Sequence, residues 1–124
     1  MITGFEEYTK ELTKYEREQI LPRMIKGIRS NIGAGNPITN KAAIEAMRQR
    51  GLDISDSRFR KIMHVIRVSG MVEGIVANSN GYFIAETVEE WESYIKGLNE
   101  RIRHITTMKR AIDNQFDNWK RDRQ

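Results

Sequence analysis

Between Asp56 and Arg67 the chain reads Asp-Ser-Arg-Phe-Arg-Lys-Ile-Met-His-Val-Ile-Arg, its densest run of side chains able to do chemistry. On a helix that turns Phe59, Ile62, Met63 and Ile66 inward, the opposite face carries Ser57, Arg58, Arg60, Lys61, His64 and Arg67. Four of these six are basic, and no acid follows Asp56. An arginine fork can bond a guanine edge through two hydrogen bonds, whereas lysine and serine suit phosphate oxygens. The pattern predicts a face for double-stranded DNA. Arg58, Lys61 and His64 would meet bases, while Ser57, Arg60, Arg67 and Lys41 would hold the backbone. The competing expectation is a solvated face, the ordinary fate of clustered charge.

Other chemistries are poorly served. The chain has two histidines and no cysteine, which excludes disulfides and thiolate metal sites and leaves a metal centre to carboxylates. Gly33-Ala34-Gly35, just before Pro37, fits no phosphate-binding loop. Glu89, Glu90 and Glu92 fall where a helix starts, a place where acids complement the helix dipole without a catalytic task. We therefore expect a protein that is not an enzyme, with no catalytic residue, metal, cofactor or small-molecule ligand implied by its sequence.

The elements that must position the basic face follow from periodicity and punctuation. Phe5, Tyr8, Leu12 and Tyr15 form one stripe of an amphipathic helix over Phe5–Gln19. Pro22 should break it and open a second helix through Met24, Ile25, Ile28 and Ile32, which Gly33–Pro37 then stops. Thr39 or Asn40 caps a short helix with Ala43, Ile44 and Met47 inward, closed by Gly51. Leu52 and Ile54 anchor the turn, and Ser55 or Asp56 caps the basic helix, which Gly70 ends.

The period then changes. Met71–Ala77 and Tyr82–Ala85 are β-type runs around Asn78-Ser79-Asn80-Gly81, a hairpin signal, and Ile38 is placed to add a short third strand. Asn78, Ser79 and Asn80 at the tip suit the turn itself first, and phosphate contacts second. The predicted fold is mainly α (α+β), a winged helix-turn-helix with a two- or three-stranded wing. Its divisions are an N-terminal helical extension (1–21), the winged domain (22–86) and a long C-terminal helix (87–124).

Thr87 and Glu90 form a capping box for that last helix. Trp91, Ile95, Leu98, Ile102, Ile105, Ile112, Phe116 and Trp119 keep alternate spacings of four and three, with Lys109 at the one charged seam position. So narrow a stripe over four heptads is a coiled-coil pattern, and it predicts a homodimer in which Lys109 helps set register. The alternative is an internal pairing of this helix with the Phe5–Tyr15 stripe.

Net charge is +4, and its distribution is uneven. Thr39–Gly70 is strongly basic, Met71–Leu98 is acidic, and the tail from Asn99 is basic again. No apolar run reaches membrane-spanning length, and Met1–Glu7 lacks the basic-then-apolar order of a signal peptide. The expected setting is the cytoplasm.

Three stretches carry a resemblance. Asn31-Ile32-Gly33 with Pro37–Lys41, then Asp56–Ile62 with Ile66-Arg67, then Ala77–Ala85, resemble small phage and prophage proteins of bacteria with a winged-helix fold. In those proteins an Arg-x-Arg-Lys stretch opens the recognition helix, as Arg58-Phe59-Arg60-Lys61 does here, and a Gly-Tyr pair closes the wing, as Gly81-Tyr82 does. An acidic helix start with a Leu-x-x-Arg stretch follows, matched by Leu98–Arg101. The likeness spans Gln19 to Ile105 and implies DNA binding by analogy of fold, with which control of transcription or replication in a mobile element is compatible. A protein–protein adaptor built on the same scaffold is the rival expectation.

Overall fold

A computed structural model describes residues 11–123. Its elements are a π-helical turn at Glu16–Ile20, then α1 (Leu21–Ile28), α2 (Asn40–Arg48), α3 (Asp56–Ser69), β1 (Ile75–Asn78), β2 (Gly81–Ile84) and α4 (Val88–Asp122). The protein is mainly helical with one small antiparallel sheet, an α+β arrangement. It divides into two units, Met1–Trp91 and Glu92–Gln124.

The first helix differs from expectation at both its start and its middle. Thr13 Oγ1 accepts the Glu16 N–H (3.1 Å), and Glu16 Oε1 accepts the Thr13 N–H (2.8 Å), a reciprocal capping box. Among the described residues helix begins at Lys14, after this cap, and residues 11–13 are not helical; Phe5 and Tyr8 lie outside the described residues. Pro22 does not separate two helices. The turn ahead of it widens instead, with the Leu21 N–H bonded to the Glu16 carbonyl five residues back. Proline has no N–H and crowds the carbonyl four residues earlier, so a wide turn lets the helix carry it. Widening also keeps Glu16 and Ile20, four apart, both buried.

α1 ends at Ile28, four residues before Ile32, because sheet pairing claims the backbone beyond it. Asn31 accepts the Ile84 N–H (2.7 Å) and Gly33 donates to the Ile84 carbonyl (2.8 Å). Ile38 makes a single antiparallel bridge to Tyr82 through two 2.8 Å hydrogen bonds, so the expected third strand is one residue long. Thr39 caps α2 through the Ala42 N–H (3.0 Å), and Ser55 caps α3 through the Arg58 N–H (3.2 Å). Gly70 ends α3 in the left-handed region, where a side chain would be strained.

Ile20, Met24 and Ile28 pack against Met47 of α2 and against Phe59, Ile62, Met63 and Ile66 of α3. Val72 and Ile75 extend this core toward the hairpin. The inward set expected for α3 is buried as a whole. Ala43 and Ile44 of α2 are only half-buried at its edge.

The hairpin register pairs Asn78 with Gly81, leaving Ser79 and Asn80 as the loop. Asn78 Oδ1 accepts the Asn80 N–H (2.8 Å), and among the described residues no non-glycine has positive φ. The loop is thus not of the primed type that Asn-Gly usually announces. Gly81 is needed for another reason: at φ 131°, its missing Cβ would lie 2.4 Å from the Ile38 carbonyl oxygen. Gly81→Ala should cost about 2 kcal/mol, by strain and by displacing the Ile38 bridge. Thermal unfolding of the purified variant checks this, the expected drop in Tm being roughly 10 °C.

Candidate nucleic-acid interface

The outward side of α3 is set by the burial of its other side. Arg60 and His64 are exposed, and Ser57, Lys61 and Arg67 are half-buried around them at helical spacing. Asp56 Oδ2 pairs with Arg60 Nε at 3.0 Å; both side chains are solvated, so the bond leaves the guanidinium available to a stronger anion. The Arg67 guanidinium lies 5.5 Å from the centre of the Tyr82 ring, which ties the end of α3 to β2. Lys41 is exposed in the first turn of α2, and Asn78, Ser79 and Asn80 are exposed at the hairpin tip.

Arg58 is placed elsewhere. Its Nε donates to Glu16 Oε2 and its Nη2 to Glu16 Oε1, both at 2.7 Å, and Nη2 also reaches the Glu11 carbonyl at 2.9 Å. The two side chains are only 12% and 7% exposed. Arg58 is therefore a cross-brace between the first helix and α3, off the outward face. The arginine that guards this position lowers the Glu16 pKa from its ordinary value by hydrogen bonding, against the opposing push of burial. Glu16 was not singled out by its type or local charge; the Thr13-x-x-Glu16 capping box was the only signal for it.

Tyr15 provides a second brace. Its hydroxyl accepts the Asp53 N–H (3.1 Å) and donates to the Asp53 carbonyl (3.2 Å), which holds the turn before α3. Leu12 packs on the core. Of the described part of the predicted N-terminal stripe, Leu12 thus faces the core, while Tyr15 stays exposed and holds the turn before α3.

α4 starts as expected, with Thr87 Oγ1 accepting the Glu90 N–H (3.2 Å). Glu90 does more than cap: its carboxylate also takes the N–H groups of Glu86 (2.7 Å) and Ala34 (2.8 Å). These backbone donors, Glu86 foremost, hold the Glu90 pKa below its ordinary value. Trp91, the first residue of the predicted seam, covers Gly74, where an added Cβ would lie 3.0 Å from the indole ring.

Within the second unit no described residue is buried. Ile95, Leu98, Ile102, Ile105, Ile112, Phe116 and Trp119 are 37–68% exposed. Lys109 interrupts the stripe and is held by Asp113 one turn on, at 2.7 Å. Met108, exposed and missed by the heptad reading, lies three residues after Ile105 and four before Ile112, so it carries the apolar stripe past Lys109. Phe116 and Trp119 stack with centroids 6.2 Å apart, and Lys120 and Arg123 lie over their rings.

Compared with protein-family models, curated proteins and solved structures, the chain matches none. Among the described residues no three His, Asp or Glu side chains gather where they could hold a metal ion. No described helix is long and apolar enough to cross a membrane.

Proposed function

We propose that this chain is a non-enzymatic double-stranded DNA-binding protein of the winged helix-turn-helix type, dimeric through α4. The observation that carries the reading is α3: its inner side is entirely apolar and buried, and its outer side offers Arg60, Lys61, His64 and Arg67 ahead of a hairpin. In such a protein α3 enters the major groove and the hairpin lies along the backbone. Lys61 and His64 are the base-facing residues; Ser57, Arg60, Arg67 and Lys41 hold phosphates, with Asn78, Ser79 and Asn80 adding uncharged contacts. The resemblance to phage and prophage proteins extends this to a cytoplasmic regulator of transcription or replication in a mobile element.

A second reading is an adaptor that binds protein through α4. The exposed apolar stripe and the uncharged hairpin tip favour it. Equilibrium binding to a pool of random duplexes, followed by selection, separates the two. With three cations on phosphates, Lys41, Arg60 and Arg67, affinity should fall roughly fortyfold between about 50 and 200 mM salt. Arg60→Ala with Lys61→Ala should weaken binding about tenfold or more without lowering Tm. No duplex binding at about 50 mM salt would leave the adaptor reading standing.

A further inference from the structure

Behind α3, on the side away from its basic face, the first unit has a cavity of about 380 Å³, half open to solvent, between α1, α2 and α3. That is the liquid volume of roughly a dozen waters, and within the range of small-molecule sites. Its apolar walls include Met24, Met47, Met63, Phe59 and Ile38. Three methionines from three different helices make those walls adaptable, because an unbranched thioether repacks around irregular apolar shapes. Arg23 and Lys26 of α1 and Arg50, just past α2, also line the cavity. No acid does, and none of the three cations forms an ion pair among the described residues.

We propose that this cavity is a binding site for a small organic carboxylate with an apolar body of about ten heavy atoms. The apolar part would lie among Met24, Met47, Met63 and Phe59, with its carboxylate on Arg23, Lys26 and Arg50. Charge complementarity selects the class. A cation would meet three like charges, and a neutral hydrocarbon would leave them unused. A polyhydroxylated ligand would bury hydroxyls in a site whose one lining hydroxyl, that of Ser30, already donates to the Gly27 carbonyl at 2.7 Å. The site does not depend on the DNA reading, since α3 lines it only with Phe59 and Met63 of its inner side.

Decanoate is a suitable probe, titrated below its micelle concentration into the full chain carrying carbon-13 methionine methyls. Saturable shifts of Met24, Met47 and Met63 are expected, with 1-decanol and acetate producing none at equal concentration. Met108 reports the exposed stripe of α4 separately. Lys26→Glu with Arg50→Glu should weaken decanoate about tenfold or more, the loss of one or more charge-assisted hydrogen bonds. Unchanged Tm in that variant excludes unfolding as the cause. The proposal is overturned if the three core methyls do not shift, if only Met108 responds, or if decanol binds as well and the charge reversals change nothing.

Discussion

Arg58→Ala is expected to unfold the protein far more readily than loss of any other charged side chain of α3, lowering Tm by roughly 12–20 °C. The guanidinium and the Glu16 carboxylate are almost fully removed from water and bonded through two 2.7 Å contacts. Truncating Arg58 leaves a buried carboxylate with one backbone donor, that of Thr13. Removing one member of such a pair costs about 3 kcal/mol or more, because the remaining charge keeps its desolvation penalty. In a unit of this size each kcal/mol is worth about 4–8 °C. Arg58→Met with Glu16→Leu should recover most of the loss, since no orphan charge remains.

Acid sensitivity checks the same pair. The Glu16 pKa is lower in the folded chain than its ordinary 4.5. Its contribution is therefore complete above the unfolded pKa and is lost as pH falls through the folded one. Wild type should lose Tm more steeply below about pH 4.5 than the double variant. The backbone-bonded Glu90 adds acid sensitivity of the same sign to both proteins. If Arg58→Ala instead melted like wild type while losing DNA, the cross-brace would be dispensable and Arg58 would be a contact. Tests of DNA binding belong on Arg60, Lys61 and His64, where a loss is not confounded with unfolding.

The second large effect is on self-association. Ile102→Asp with Ile105→Asp should convert a dimer at micromolar concentration into a monomer in sedimentation, raising the dissociation constant at least a hundredfold. Burying an isoleucine is worth about 1.5–3 kcal/mol, and the double change removes two from each chain and introduces two charges. Among the described residues the unit from Glu92 onward contains no buried side chain, so no core of its own supports 31 of the helix's 35 residues. Helices in water are held mainly by packing an amphipathic face, which in the proposed dimer a second copy of the Ile95–Trp119 stripe would supply. The Tm of the first unit should be unaffected by the change. A wild-type chain that sediments as a strict monomer at high concentration would sink the dimer.

Much of the fold was legible in the sequence because the signals were local. The buried side of α3 follows from helical spacing alone. Thr39, Ser55 and the Thr87–Glu90 box satisfy backbone donors within three residues, so the same chemistry works wherever the element packs. The hairpin is of this kind too, although its loop falls one residue earlier than Asn-Gly suggests.

What only the tertiary structure decided involves partners distant in the chain. Counting bases on α3 could not separate Arg58 from Arg60, because helical spacing does not show that Glu16, 42 residues earlier, lies opposite one and not the other. Pro22 signalled a break; a widened turn absorbed it while Glu16 and Ile20 stayed buried. Ile32 fitted the stripe of α1, yet the backbone around it pairs with Ile84. The anionic-ligand cavity likewise exists only where three helices leave a gap. Local composition determines which charges and apolar groups a segment has; packing decides which of them meet water, a counter-charge or each other.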